Sequence, residues 1–220
     1  MGCYEHVHAI VLPGLAGTGR LLDAFCAAAP AGVTCEVIDY PRDQILGYRE
    51  LEVYVASRLP SGPLVLLGES FSGPIAVRLA TRSDVRAVVL CGSFVTPPRP
   101  SFLRVFARAA LFRLRVPERM LAFFMLSPFA TPALTSAFSQ ALQEVAPAVL
   151  AARLREALSV DERASLRSVT VPVLYLRGRF DRLVRRRVLR EFANVVELDA
   201  PHAMLQTAPE AAWQAILRAI

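Results

Sequence analysis

LLGESFSG, residues 66–73, joins an apolar run typical of a buried β-strand to a stretch with a helical pattern. Ser70 lies at this junction, and its neighbours come close to the pattern G-x-S-x-G, in which a tight strand-to-helix turn presents a serine. The fifth position departs from that pattern, because it holds Ser72, and the glycine follows one residue later as Gly73. The stretch therefore predicts a strand, a turn and a helix, with Ser70 as a candidate nucleophile.

Short apolar runs rich in β-branched residues recur along the chain and predict six strands. They cover residues 7–12, 33–39, 63–68, 85–92, 171–178 and 194–199. Their nearly continuous apolar character is typical of strands buried on both faces. Helical patterns lie between or after them, at 20–29, 48–59, 72–80, 185–192 and 209–220. This alternation predicts an α/β fold, with a mostly parallel sheet of about six strands and helices on both faces.

One long segment interrupts the alternation of strands and helices. Residues 99–169 show only helical stretches broken by prolines, so we expect a helical lid inserted after the fourth strand. The core then consists of two parts, residues 1–98 and 170–220. Ser159 and Glu162 have the spacing of a capping box, which predicts the start of the last helix in the segment.

Composition favours a folded cytoplasmic protein of one domain with an insertion. Of the 220 residues 54% are apolar, and the N-terminal sequence lacks the basic region of a signal peptide. The uncharged run 120–143 is long enough to span a membrane, but its prolines and hydroxyl residues argue against a span. The four cysteines have no metal-ligand spacing, and we expect neither a metal nor an organic cofactor.

The net charge of +6 comes from 25 basic residues, all of them arginine, and 19 acidic residues. Binding of nucleic acid would favour basic residues interleaved with aromatic ones, or a known motif, and the sequence has neither. We therefore expect no nucleic-acid partner. An anionic partner of another kind stays open.

Polar or glycine-rich sequences follow four of the predicted strands. The first strand ends in LPGLAGTG (residues 12–19), and Ser70 follows the third strand. Asp181 follows the fifth strand, and His202 follows the sixth. Because right-handed crossovers place the carboxyl ends of parallel strands at one edge of a sheet, these residues are predicted to meet there.

The turns LPGLAGTG, GESFSG, GRFD and APH, in this order, resemble those of short α/β-hydrolases. The resemblance covers essentially the whole core and leaves only the predicted lid without a motif. It implies a catalytic triad in the order nucleophile, acid, histidine, which here is Ser70, Asp181 and His202. Asp199, three residues before His202, is an alternative acid, although Asp181 is favoured by its place after the fifth strand.

The resemblance also implies an oxyanion hole made of the backbone amides of Leu15 and Phe71. Gly14 is expected to let the first turn approach a substrate closely. Pro13 stands where many relatives have histidine, which leaves the amide of Leu15 usable because proline lacks only its own N–H. Ser72, in place of glycine, is expected to cost about 1 kcal/mol of strain without preventing the turn.

Residues of the predicted lid suggest the nature of the substrate. Seven phenylalanines lie between residues 102 and 138; most are expected to pack the lid helices together. Phe123 and Phe124 are expected to face the cleft and form an apolar pocket for an acyl or aryl group. Ser93, after the fourth strand, is expected to line the same site.

Three lid arginines recur at helical spacing, namely Arg104, Arg108 and Arg115. They predict either a solvated outer face or a docking site for an acidic acyl-carrier protein. The sequence as a whole predicts a serine hydrolase of small or medium carboxylic esters. A thioesterase and a carrier-bound methyl-ester hydrolase are the alternatives within that class, and a non-catalytic ligand-binding protein is the alternative outside it.

Overall fold

Six parallel strands form one sheet in the computed structural model, which describes residues 7–113 and 116–219 except for the side chain of residue 111. The strands are β1 (Val7–Leu12), β2 (Val33–Val37), β3 (Leu64–Glu69), β4 (Val85–Cys91), β5 (Val173–Gly178) and β6 (Val195–Leu198). Their order across the sheet is β2-β1-β3-β4-β5-β6, and every neighbouring pair is parallel. The predicted α/β fold with a parallel sheet of about six strands is confirmed.

Ten α-helices accompany the sheet in the described part of the chain. They are α1 (Asp23–Ala27), α2 (Tyr48–Ala56), α3 (Gly73–Leu79), α4 (Ala109–Arg113), α5 (Glu118–Leu121), α6 (Pro132–Gln143), α7 (Pro147–Ala157), α8 (Arg163–Ser168), α9 (Met204–Thr207) and α10 (Pro209–Leu217). Two predicted helices are shorter or tighter than expected. The first begins as a 3₁₀ turn over Gly19–Leu21 before α1, and the predicted helix at 185–192 is the 3₁₀ helix Arg186–Glu191.

Both faces of the sheet are buried under helices, which explains why the strands are apolar at successive positions. In β1, Ile10 packs with Leu51 of α2 and Ile75 of α3 in one hydrophobic cluster. The next residue, Val11, joins Trp213 of α10 in the cluster on the opposite face. All five side chains are at most 3% exposed. Alternate side chains of one strand thus fill two separate cores.

Helices α4 to α7 lie in the long segment between β4 and β5. The backbone N–H of Glu162 donates to the carbonyl of Val95 at 2.7 Å. The chain therefore departs at Val95 and returns to the same place at Glu162, and we call the part between them the excursion. Beyond it, α8 packs on the sheet, where Leu166 contacts the same cluster as α2 and α3. The segment between β4 and β5 thus contains a part whose ends meet at Val95 and Glu162, followed by α8.

The predicted capping box at Ser159 and Glu162 is wrong. Glu162 itself precedes the first residue of α8, its side chain does not cap that helix, and the first amide, Arg163 N–H, donates to Asp161 Oδ1 at 3.3 Å instead. The Glu162 carboxylate instead accepts hydrogen bonds from the guanidinium of Arg78 in α3 and from the Ser165 hydroxyl. A buried carboxylate beside a cation is better satisfied by that ion pair than by a backbone amide.

The uncharged run 120–143 is divided in the structure between the end of α5, a π-helical turn over Ala122–Leu126 and helix α6. Across residues 7–113 and 116–219, no helix has both the length and the apolar character needed to cross a bilayer.

Candidate active site

Ser70, His202 and Asp181 meet at the carboxyl edge of the sheet, although 132 residues separate the first two in sequence. His202 Nε2 lies 2.9 Å from Ser70 Oγ, and His202 Nδ1 lies 2.9 Å from Asp181 Oδ2. Asp199, the alternative acid, is exposed and pairs with Arg179 instead. The structure brings together the three residues that the sequence singled out. Asp181, and not Asp199, is within hydrogen-bond distance of His202.

The second oxygen of Asp181 fixes the orientation of the carboxylate. Asp181 Oδ1 accepts hydrogen bonds from the backbone N–H groups of Leu183 at 2.8 Å and Val184 at 3.0 Å. Burial raises the pKa of Asp181, but His202 and these amides outweigh it and hold the pKa below its ordinary value. The aspartate stays ionised and accepts from His202 Nδ1–H, which leaves Nε2 to accept the Ser70 proton.

His202 is 4% exposed, and opposing effects act on its basicity. Burial lowers the pKa of His202, while the charge and hydrogen bond of Asp181 raise it, and the charge of Glu69 raises it further. The net result is a pKa above the ordinary histidine value. The imidazole is therefore a stronger base than a free histidine.

The backbone of Ser70 has a φ of 48°, in the left-handed region that residues other than glycine rarely adopt. Two glycines allow the turn to pack closely. A Cβ at Gly68 would lie 2.8 Å from Gly73 Cα, and a Cβ at Gly73 would lie 1.9 Å from Ser93 Oγ. Gly68 and Gly73 thus provide the close approach between strand and helix.

Ser72 has an ordinary helical backbone, with φ −90° and ψ −2°, so the strain expected there is absent from this residue. Its side chain is fully buried and takes part in hydrogen bonds. Ser72 Oγ donates to the carbonyl of Pro13, and the Tyr40 hydroxyl lies 2.7 Å from Ser72 Oγ. The serine links the turn after β3 to the turn after β1.

The two residues whose amides are proposed for an oxyanion hole are Phe71, directly after Ser70, and Leu15, directly after the Gly14 that packs beside Ser70. Leu15 and Phe71 both line the cavity that contains the Ser70 hydroxyl. In the described ranges, neither backbone N–H donates a hydrogen bond to another protein group. The Tyr48 hydroxyl donates to the Phe71 carbonyl at 3.0 Å, and the two rings stack with centroids 4.8 Å apart. These contacts hold the Phe71 peptide in place.

A cavity of about 330 Å³ opens beside Ser70 and His202. Its walls are mainly apolar and come from the first turn and from the inserted segment. The aromatic and aliphatic side chains include Leu21, Phe94, Phe112, Leu121, Met125, Phe138, Leu142 and Leu154. Glu69, Arg99 and Gln206 are the charged or amide side chains in the wall. The cavity suits an apolar group attached to a polar reacting centre.

Three residues expected to contact the substrate lie elsewhere. Ser93 is fully buried behind Ser70, where its hydroxyl donates to the Ser70 carbonyl at 2.5 Å. Phe123 is 52% exposed and lies under the guanidinium of Arg182, 4.1 Å from the ring centroid. Phe124 packs edge-to-face on Phe123. Phe112 and Phe138 of the segment line the cavity instead.

The predicted arginine face does not form on one helix. Arg104 lies in the 3₁₀ helix Ser101–Phe106, and Arg108 precedes α4, so the two are not on a continuous helix. Both side chains are exposed, and Arg108 Nε donates to the Val105 carbonyl at 3.3 Å. Arg115 lies outside the described residues.

Two polar residues near the site had not been singled out in the sequence. Glu69 accepts hydrogen bonds from Gly14 N–H at 2.9 Å and from Gln206 at 2.7 Å. Arg153 reaches the first turn from α7. Glu69 could have been suspected as the neighbour of Ser70, whereas Arg153 has no local signal. Among the residues with described positions, no three His, Cys, Asp or Glu side chains form a group able to hold a metal ion.

Sequence comparison agrees with the class that this sheet and site define. The chain belongs to the alpha/beta hydrolase family, whose model matches residues 2–215. Among curated proteins there is no significant sequence match. The resemblance stated from the four turns is thereby confirmed.

Solved structures of low sequence identity share the fold. A hydrolase from Pseudomonas aeruginosa PA01 is 18% identical, with a TM-score of 0.79 over 99% of this chain and 91% of its own. The enol-lactonase from Burkholderia xenovorans LB400 is 16% identical, with a TM-score of 0.83 over 96% and 90%. A proline iminopeptidase from Mycobacterium smegmatis is 18% identical, with a TM-score of 0.71 over 97% and 89%. Their different activities leave the substrate to be argued from the site.

Proposed function

We propose that the protein is a serine hydrolase of carboxylic esters, with Ser70, His202 and Asp181 as its catalytic triad. The observation that carries this proposal is the continuous chain of 2.9 Å contacts from Ser70 Oγ through His202 to Asp181. A serine hydroxyl is a weak nucleophile until an adjacent base takes its proton. The raised basicity of His202 and the buried, ionised Asp181 support that role.

In the proposed mechanism, Ser70 Oγ attacks the acyl carbon while His202 takes the proton from the hydroxyl. The amides of Leu15 and Phe71 donate hydrogen bonds to the oxyanion of the tetrahedral intermediate. His202 then protonates the leaving alcohol, and an acyl-enzyme remains on Ser70. Water attacks this ester with His202 again as the base, and the free acid leaves.

The apolar cavity supports an ester with a small or medium acyl or aryl group. The inserted segment supplies ten of the 24 described residues that line the cavity, which supports its proposed role as a lid, expected from the sequence at 99–169. A structural neighbour is an enol-lactonase, and a lactone is a cyclic ester. Thioesters and carrier-bound methyl esters stay as alternative substrates of the same triad, and a cytoplasmic location stays a prediction.

Hydrolysis of short p-nitrophenyl esters by wild type, Ser70→Ala and His202→Ala tests the proposal. We expect both substitutions to reduce kcat by at least about 10³-fold, because the triad residues act as a unit. Circular dichroism checks that the variants stay folded. A fluorophosphonate should label the wild type, and peptide mapping should place the label on Ser70.

Two outcomes would contradict the assignment. Full activity in Ser70→Ala would mean that another residue is the nucleophile. A wild type that neither hydrolyses esters nor reacts with the fluorophosphonate would favour a ligand-binding protein that keeps the fold without turnover.

A further inference from the structure

The turn after β1 begins at Pro13, and its backbone polar groups are tied to distant parts of the chain. Proline has no N–H, so the first polar group is the Pro13 carbonyl, which accepts from Ser72 Oγ. The next group, Gly14 N–H, donates to Glu69 Oε2 at 2.9 Å. A Cβ at Gly14 would lie 3.7 Å from Ser70 Cβ, so this backbone passes beside the nucleophile.

The next two carbonyls, of Gly14 and Leu15, also accept hydrogen bonds. The Gly14 carbonyl accepts from Gly17 N–H at 2.9 Å. The Leu15 carbonyl accepts from Arg153 Nη1 at 2.9 Å. The stretch from the Pro13 carbonyl to the Leu15 carbonyl contains five backbone polar groups. Among the described residues, only the Leu15 N–H has no hydrogen-bond partner in the protein. Leu15 itself is half-buried and lines the cavity that contains Ser70, so its unpaired amide is available to a substrate oxygen.

Arg153 is an unusual residue for such a contact, because it is 2% exposed and lies in α7 of the inserted segment. Its second nitrogen, Nη2, donates to the Pro41 carbonyl at 2.8 Å, and its guanidinium lies 5.5 Å from the centroid of the Tyr40 ring. No carboxylate of the described residues pairs with it. Burial lowers the pKa of Arg153 to about 10, which leaves a cation at neutral pH.

The absence of a side chain at Gly17 leaves space for this guanidinium. Gly17 has a φ of 69°, and a Cβ there would lie 2.5 Å from Arg153 Nη1. The Tyr40 ring beneath the guanidinium carries the hydroxyl that contacts Ser72. Arg153, Tyr40 and Ser72 thus form one connected set that holds the Leu15 and Pro13 carbonyls together.

We propose that Arg153 is a positioning residue, which reaches from the inserted segment to the Leu15 carbonyl and fixes the turn so that Leu15 N–H serves as an oxyanion donor. This inference rests on the proposed ester hydrolysis. The role differs from catalysis, because Arg153 acts through the backbone of Leu15 and does not meet the substrate. Through Arg153, the inserted segment contributes to the geometry of the oxyanion hole in addition to covering the cavity.

Arg153→Met tests the role, because methionine fills much of the space and donates no hydrogen bond. We expect kcat for p-nitrophenyl esters to fall about 10- to 100-fold with little change in KM, since an oxyanion contact is made mainly in the transition state. Arg153→Lys, which can donate to one carbonyl, should recover part of the loss. Arg155→Met is the matched control, since the one acceptor of Arg155 among the described residues is the Ala107 carbonyl, away from the first turn.

An inhibitor separates positioning from general loss of structure. A trifluoromethyl ketone forms a tetrahedral adduct whose oxygen occupies the oxyanion site, so its inhibition constant should rise in parallel with the loss of kcat/KM. If Arg153→Met does not fold, Arg153→Lys serves as the second variant, because it loses at least one of the two carbonyl contacts and should give a several-fold loss of kcat by the same criteria. An Arg153→Met enzyme, or in its place an Arg153→Lys enzyme, with unchanged kcat and inhibition would overturn the positioning role alone. A wild type without esterase activity or phosphonate labelling would overturn the proposed function and this role with it.

An independent observation concerns two cysteines remote from the triad. Cys26 of α1 and Cys35 of the edge strand β2 are both half-buried, with Sγ atoms 3.1 Å apart. The Cys35 thiol donates to Cys26 Sγ, which lowers the pKa of Cys26 and favours its thiolate. Cys91, in contrast, is fully buried.

We infer that Cys26 and Cys35 are a modification site and form a disulfide with a small-molecule disulfide as oxidant. The Cys26 thiolate attacks the oxidant and releases one thiol, and Cys35 then attacks the mixed disulfide and releases the second. Two electrons pass from the cysteines to the oxidant, and the two thiol protons leave with the released thiols or solvent. The bond would join the edge strand to the helix before it.

Oxidised glutathione, alkylation and mass spectrometry test this inference in a Cys3→Ser background, which removes the N-terminal thiol. We expect a loss of 2 mass units, as two protons leave, and a linked peptide containing Cys26 and Cys35. The oxidised protein should unfold several degrees higher, because the cross-link restricts the unfolded chain, and Cys35→Ser should lose that increase. Persistent glutathione adducts, or two thiols that still alkylate fully, would overturn the inference.

Discussion

The left-handed backbone of Ser70 concentrates strain at one residue. A φ of 48° costs a non-glycine residue of order 1–3 kcal/mol, and the surrounding packing has to hold it. The neighbouring Ser72, which breaks the expected glycine pattern, has ordinary angles and hydrogen bonds instead. Strain therefore lies on the residue whose hydroxyl must project, while the unusual residue connects two turns.

Replacement of Ser70 measures this strain directly. Ser70→Gly should unfold with a free energy about 1 kcal/mol higher than that of Ser70→Ala, because glycine tolerates positive φ. Urea denaturation of the two variants gives the difference, and both should be inactive. Equal stabilities would show that the turn relaxes to an unstrained backbone when the serine is lost.

The basicity of His202 predicts the pH dependence of hydrolysis. The reaction needs neutral His202, so kcat/KM should fall as pH decreases through its pKa, which lies above the ordinary histidine value of about 6.5. Glu69→Gln removes a negative charge that favours the imidazolium. The acidic limb should therefore move to lower pH, while the amide oxygen still accepts from Gly14.

The pH–rate profile of kcat/KM checks this expectation against a distant charge variant. Glu197→Gln removes a carboxylate on β6 that pairs with Arg186, and its acidic limb should match the wild type. An unmoved limb in Glu69→Gln would mean that solvent screens the charge of Glu69 from His202.

At the scale of elements, the junction of β3, α3 and β4 determines the position of the Ser70 hydroxyl. Gly68 and Gly73 let the strand and helix approach, and Ser93 after β4 supports the Ser70 carbonyl from behind. The three residues leave no space for a larger side chain. Packing between elements, more than the local turn, thus sets the position of Ser70.

Gly73→Ala should therefore destabilise the fold by about 1–3 kcal/mol and reduce activity, because the new methyl group displaces Ser93 Oγ. Urea denaturation and esterase assays measure the two effects. Ser93→Ala controls for loss of the hydroxyl alone, and the pair Gly73→Ala with Ser93→Gly should recover part of the stability. A fully stable and active Gly73→Ala would show that the helix can shift without cost.

The sequence was sufficient for the sheet and for the proximity of Ser70, Asp181 and His202 at its edge, because strand patterns are local and each of the three residues follows a strand. It was insufficient for contacts made across the fold. Arg153 donates to the Leu15 and Pro41 carbonyls, which are 138 and 112 residues away, and no local sequence pattern predicts these contacts. Phe123 and Phe124 lie in a π-helical turn, and a sequence pattern interpreted with α-helical spacing does not reveal such a turn.

Across the whole molecule, the cavity lies between the sheet edge and the inserted segment, so both parts determine the substrate. For p-nitrophenyl esters of increasing chain length, kcat/KM should rise about 4-fold per methylene while the chain enters the apolar cavity, from about 0.8 kcal/mol per buried CH₂. The rise should stop when the 330 Å³ are filled. Leu142→Phe, which narrows the cavity, should move the optimum to shorter chains.

A steady-state assay from acetate to dodecanoate esters gives this profile. A flat profile would mean that the acyl group lies outside the cavity, and an unchanged optimum in Leu142→Phe would exclude the region near α6 as its binding site.

The hydrogen bond between Glu162 and Val95 has an evolutionary consequence. It brings the two ends of the excursion between β4 and α8 together, so a segment of different length or sequence can replace it without rearranging the sheet. Descendants of one ancestral chain can thus acquire new specificities by exchanging this single module. Arg153 limits that freedom, because a replacement without an equivalent guanidinium would inherit the scaffold and lose part of its catalytic power.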